Sequence, residues 1–166
     1  MSEEETTNHD ELDNSRALII KKISAYIGVP ILPTNFTQFE KFDGETLHVN
    51  MFPIKEVTNL TIDNKPISEF TVDNQAGLIY FRQHYTGFLT LEYTACLTEN
   101  DYSLYIEPLV EDMLEYENDS GWAKNASSIR EGDVSINLDT SIGKGALIQK
   151  NLDNLKSMFN TYARMI

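Results

Sequence analysis

The sequence holds a single cysteine, Cys96, among its 166 residues, so an intramolecular disulfide is excluded. No histidine lies near Cys96 in sequence, so no base is at hand to make it a thiolate nucleophile. It reads as a small buried or half-buried hydrophobe. No run of about 18 apolar residues occurs, so no stretch reads as a membrane-spanning helix. The opening Met-Ser-Glu-Glu-Glu lacks both a basic and an apolar region, so no secretory signal is expected. The sequons at Asn35, Asn59, Asn118 and Asn125 then read as chance matches. Positive charge is scarce: 13 Lys and Arg stand against 26 Asp and Glu, for a net charge of −13. A protein that grips nucleic acid needs cations to replace phosphate counterions, so that class is excluded. A protein past which DNA slides without sticking is not.

What is present is unevenly placed. Residues 1–13 carry six acids and residues 99–119 carry eight, and neither stretch has a Lys or Arg. From Lys124 onward the balance reverses, with six Lys and Arg against four acids. Hydrophobic residues make up 41% of the chain, enough for a real core.

Residues 1–13 are polar and read as a disordered acidic tail. A helix is expected from about Asp13 to Ser15, because Ile19, Ile20, Ile23, Tyr26 and Ile27 share one helical face. Gly28 and Pro30 end it. Residues 31–44 read as a connector. From Glu45 the pattern becomes short and extended, with turns at Asp63-Asn64 and Asp73-Asn74-Gln75-Ala76-Gly77, which predicts an antiparallel β-meander. The helical period returns after Asn100, where Tyr102, Ile106, Leu109, Val110 and Met113 recur at threes and fours. Pro108 means that the helix either begins there or kinks. Val134, Ile136 and Leu138 alternate with polar residues as a lone strand. Ile148, Leu152, Leu155 and Phe159 mark a closing helix. The expected fold is α+β: a helical bundle of residues 14–44 and 100–166, with an antiparallel β-domain of residues 45–99 inserted.

The motifs for chemistry are incomplete. His9, His48 and His84 have no metal-ligand spacing. Asp133-x-Ser135-x-Asn137-x-Asp139 resembles the start of a calcium loop, but Leu138 stands where that loop needs Gly and Lys144 where it needs Glu. Gly143-Lys144-Gly145 lacks the earlier Gly and the following Ser or Thr of a phosphate loop, and reads as a hinge or helix start. Carboxylate pairs such as Glu111 with Glu115 do acid–base work only in a cleft that splits their pKa values; on the polar face of a helix they are a solvated surface. Trp122, in a polar stretch, reads equally as a binding anchor or as a cover for one end of the core. No catalysis, cofactor or metal is expected.

One resemblance is specific in its order. The strand segment runs Leu47-His48-Val49, Phe52-Pro53-Ile54-Lys55-Glu56-Val57, Leu60-Thr61-Ile62-Asp63-Asn64, Phe70-Thr71-Val72-Asp73, Ala76-Gly77-Leu78-Ile79-Tyr80-Phe81 and Gly87-Phe88 through Tyr93-Thr94-Ala95. After it come an amphipathic helix, then Ile129-Arg130-Glu131-Gly132-Asp133-Val134-Ser135-Ile136, then a helix ending Tyr162-Ala163-Arg164-Met165. This order, over residues 14 to 166, resembles the head–tail connector (adaptor) proteins of tailed bacteriophages and related viruses. Cys96 replaces the Gly of that family's Tyr-Thr-Ala-Gly strand end. The resemblance implies a structural subunit of a twelvefold ring in the virion neck, assembled in the host cytoplasm. Its partners would be copies of itself, the portal protein above and the next connector or tail protein below. DNA would pass through without specific binding, and no membrane would be involved.

On that reading three segments take separate roles. Glu107, Glu111, Asp112, Glu115 and Glu117 would face the channel and repel phosphate. Val134, Ile136 and Leu138 would make a subunit contact, because a lone strand leaves an edge that must pair with an adjacent subunit or the local core. Lys150, Lys156, Tyr162, Arg164 and Met165 would dock on an acidic portal surface. The rival reading is a ligand-binding β-module of a virion adhesin or tail component, with Tyr80, Phe81, Tyr85, Phe88 and Tyr93 as its surface, although core packing also accounts for most of these rings.

Overall fold

The computed structural model describes the backbone of residues 3–118, 127–131, 134–138 and 143–164, and the side chains of residues 13–117 and 143–159. The protein is α+β, with helices and an antiparallel sheet. It divides into two compact units. One comprises residues 1–28 and 99–160, the other residues 29–98 with residues 161–166.

In the helical unit, α1 spans Glu3–Ile27. This corrects the expected disordered tail: the helix continues ten residues before Asp13. Nothing in residues 3–27 breaks it, since the stretch has no Pro or Gly. Ile19, Ile20, Ile23 and Ile27 are buried, and Gly28 at φ 75° closes the helix by donating its N–H to Ser24 O at 3.0 Å.

The next helix begins as a short α turn, α2 (Glu99–Asp101), widens into a π stretch over Tyr102–Ile106, and continues as α3 (Glu107–Asn118). The Glu107 N–H reaches back to Tyr102 O, a five-residue step. That wider turn ends just ahead of Pro108. Proline removes one amide and crowds the carbonyl four residues before it, and a π turn moves that carbonyl's surroundings apart. The helix therefore neither starts at Pro108 nor ends before it. Helix α4 spans Lys144–Arg164, and Ile148, Leu152, Leu155 and Phe159 are buried in it, as their spacing predicts. Gly143 stands at its start, and the Leu147 N–H donates to Gly143 O.

The sheet unit contains β1 (Thr34–His48), β2 (Ile54–Ile62), β3 (Lys65–Pro66), β4 (Phe70–Asp73) and β5 (Leu78–Ala95). The inserted unit thus starts near Val29 and not at Glu45, because residues 34–44 form a strand and not a connector. All pairings are antiparallel, but the order is β1-β5-β2-β3, with β4 also on β5, and so departs from a sequential meander. β5 is the shared strand. One edge pairs with β1 along its length; the other takes β2 at residues 89–95 and β4 at residues 78–81.

The register of β1 on β5 shifts between Gly44 and Thr46, where Phe81–His84 have no opposite number in the ladder. Both long strands bend there, and the sheet closes over Phe42, Leu47, Ile54, Leu60, Ile79, Leu89, Leu91 and Tyr93. Asp63 and Asn64 both take positive φ, 50° and 62°, as a two-residue hairpin turn requires. Asp63 then ties the turn to the central strand: its N–H donates to Phe88 O, and its Oδ1 accepts from Phe88 N, each at 2.9 Å. Gly87 permits this approach, since a Cβ there would lie 2.6 Å from Asp63 Oδ2.

Candidate functional site

The acidic face of α3 is held by cations from α1 and from the start of α4. Glu107 and Glu111 are one turn apart, and the Arg16 guanidinium of α1 bridges them, 4.0 Å from Glu107 Oε1 and closer to Glu111 Oε1. Lys22, two turns further along α1, reaches Glu117 Oε1 at 3.3 Å. Lys144 stands between Asp112 Oδ1, at 3.6 Å, and Glu115 Oε2. A lysine at a helix N-terminus opposes the helix dipole, and the two carboxylates offset that cost. The hydrogen bond and charge of Lys144 hold the Glu115 carboxyl below its ordinary pKa. Glu115, through its hydrogen bond first, holds the Lys144 ammonium above its own.

All five acids expected to face a channel are thus ion-paired within the subunit. They remain half-buried to exposed, from 38% for Asp112 to 75% for Glu115. Five carboxylates with three cations leave this face less negative than the acid count alone suggests. The partners Arg16, Lys22 and Lys144 were legible as residues. Their reach was not, because two lie in α1 and one at the start of α4, all distant in sequence from α3.

Beside this face, the π stretch and α3 form a groove with α4 of about 350 Å³. Leu104, Pro108 and Leu109 line one wall and Leu155 and Met158 the other, with Asp112 at a polar margin.

The predicted docking residues separate. Lys156 Nζ lies 4.7 Å from the centre of the Tyr26 ring, a cation–π contact inside the subunit. The Tyr26 hydroxyl donates to Asp153 Oδ1 at 2.5 Å, and Gln149 Nε2 donates to the same oxygen at 2.9 Å. Lys150 is exposed on α4. Tyr162 and Arg164 lie in the last turns of α4, with side chains outside the described residues, and Met165 lies outside them altogether.

The strand expected to be alone has a partner in its own chain. β6 (Ser127–Glu131) pairs antiparallel with β7 (Val134–Leu138), setting Glu131 opposite Val134, Ile129 opposite Ile136 and Ser127 opposite Leu138. Ser-Ser-Ile-Arg-Glu offers one apolar residue in five and reads as loop, which hid the pairing.

The sheet aromatics separate as well. Phe81 and Tyr93 are buried, Tyr85 is half-buried against the core, and Tyr80 and Phe88 are exposed. Phe39, which no pattern marked, is the most exposed of the described large hydrophobics at 72%. Near the bend, His84 Nε2 lies 2.7 Å from Asp43 Oδ1, and the Thr86 hydroxyl donates to the same oxygen at 2.8 Å. Among the described residues no group of three or more His, Cys, Asp or Glu is placed to hold a metal ion, and no helix is long and apolar enough to cross a membrane.

Neither a protein-family model nor a curated protein matches this chain.

Proposed function

We propose that the chain is a head–tail connector (adaptor) subunit of a tailed virus, a non-catalytic component of a ring beneath the portal through which DNA passes. The observation that supports this reading most is the insertion itself. A sheet unit interrupts a helical unit built from both ends of the chain, the layout that the resemblance implies.

Charge supports it too. Residues 1–28 and 99–160 hold 18 acids and 8 bases, against 8 and 5 in the remainder. Genome passing a helical body with that excess would be repelled and not held. The ion pairs of Arg16, Lys22 and Lys144 soften the field without reversing it, so the acids of α3 act as part of a net-negative unit and not as a bare row.

The test is co-expression with a portal protein of a tailed virus, followed by native mass spectrometry and negative-stain imaging. The expected result is a ring of this chain on the portal, with a copy number matching the portal's. Absence of any complex, with the protein instead binding a glycan or receptor as a free molecule, would overturn the reading in favour of a ligand-binding module.

A further inference from the structure

Strand β1 ends the sheet on one side. Its residues 34–44 form an unbroken ladder with residues 85–95 of β5, and no strand among the described residues lies along the other edge. Exposed edges usually carry a proline, a mid-strand bulge or inward charges that prevent pairing with another chain. Here Pro33 precedes the strand and the bulge comes only after Gly44, so the eleven residues between them are guarded by charge alone, inward Glu40 and outward Lys41. The outward face of the same stretch carries Phe39 at 72% exposure, and Phe88 on β5 at 71%. Phe39 opposes Thr90, and Phe88 opposes Lys41, so the two rings are diagonal neighbours on one face.

We propose that β1 pairs antiparallel with β1 of a second copy, about a two-fold axis through Phe39. The choice of occupant and register follows from the strand's own sequence. Residues 35, 37, 39, 41 and 43 are exposed, and residues 36, 38, 40 and 42 are half-buried or buried. A two-fold axis normal to the sheet places outward residues opposite outward ones. Centred on Phe39, it sets Phe39 against itself, Thr37 against Lys41, Asn35 against Asp43, Gln38 against Glu40 and Phe36 against Phe42. No like charges lie directly opposite, the two Glu40 copies being diagonal neighbours on the inner face, and every aromatic of the stretch faces an aromatic. Centred on Glu40 or Lys41, the axis would set that charge against its own copy. Centred on Gln38, it would set Glu40 against Phe36. Among the centres from Gln38 to Lys41, only Phe39 opposes no charge to its own copy and faces every aromatic with an aromatic. The pair would cover Phe39 and bring Phe88 of each copy to the rim of one apolar cluster. It concerns the free protein and does not rest on the connector reading.

The test uses the full chain. Light scattering over a micromolar concentration series should give a dimer for the parent protein. Phe39→Lys, at an exposed position that leaves the core intact, should weaken dimerisation about tenfold or more by opposing like charges across the axis. In a Cys96→Ser background, Phe39→Cys should form a disulfide-linked dimer under mild oxidation, because directly opposed strand residues lie within disulfide reach at about 4.5–5.5 Å between Cα atoms. Thr37→Cys alone should not crosslink, whereas Thr37→Cys with Lys41→Cys should. A parent protein monomeric throughout, a Phe39→Lys variant that dimerises unchanged, or Thr37→Cys crosslinking as readily as Phe39→Cys would each overturn the proposal.

Discussion

Gln38 and His48 belong to the same strand, ten residues apart, and are hydrogen-bonded to each other: Gln38 Nε2 donates to His48 O at 3.0 Å. The other end of the amide accepts from Asn50 N at 2.9 Å. A strand reaches its own distant end only by bending, and Gln38, 3% exposed, is the single buried polar side chain among the described residues. Gln38→Leu should therefore strand a carbonyl and an amide in the bend. It should lower the unfolding free energy in urea by about 1–3 kcal/mol. Gln38→Glu should be no rescue, since a carboxylate has no proton for His48 O.

Tyr93 makes a related anchor from the next strand. Its hydroxyl accepts from Met51 N at 2.9 Å, with the ring buried. Tyr93→Phe should lose about 0.5–1.5 kcal/mol near neutral pH. Burial raises the pKa of this phenol above its ordinary 10.0, against the lowering by the Met51 N–H. The native state then holds a proton that the unfolded state releases. That contribution is complete below pH 10 and is lost as pH rises through the higher folded value. Alkaline denaturation curves should show Tyr93→Phe losing less stability above pH 10 than the parent.

Two glycines with similar φ should respond differently to alanine. At Gly28, φ is 75° and no heavy atom lies within 4 Å of an added Cβ, so only the backbone cost of about 1–2 kcal/mol applies. At Gly77, φ is 67° and the Cβ would meet Phe52 Cβ at 2.9 Å and Val49 Cγ2 at 3.0 Å. Gly77→Ala should destabilise more than Gly28→Ala in the same denaturation assay.

Glu115 should titrate below its ordinary 4.5 because of Lys144. Carboxyl NMR shifts should show its midpoint moving back up in Lys144→Met. The native state binds fewer protons there than the unfolded state. Stability from the pair is present above the ordinary value and is lost as pH falls through the folded one. Raising salt should shrink the difference between the two proteins, as expected for an exposed pair.

The helices were legible where spacing alone decides burial. Ile148, Leu152, Leu155 and Phe159 are buried at the predicted period, and Asp63-Asn64 makes the predicted turn. β1 was not legible because two of its inward positions are Gln38 and Glu40 while Phe39 points out, so hydrophobicity runs against the alternation of the strand. The buried amide of Gln38 is satisfied by groups ten and twelve residues away, which no local window contains. The acidic face was read correctly as one face of a helix. Its cations were missed because ion pairing across helices depends on tertiary approach and leaves no trace in periodicity.

The central place of β5 sets an order on synthesis. Apart from the two-residue pairing of β2 with β3, every ladder of the larger sheet has β5 as one partner. As the chain leaves the ribosome, β1, β2 and β4 emerge before their shared partner, and apart from the short β2–β3 hairpin none can close until Leu78–Ala95 follows. The sheet can then complete itself while α4 is still unmade. The helical unit, whose helix α1 precedes the sheet, must wait for α4, which follows it. The sheet segment is therefore able to fold before the helices on either side of it in sequence can pair.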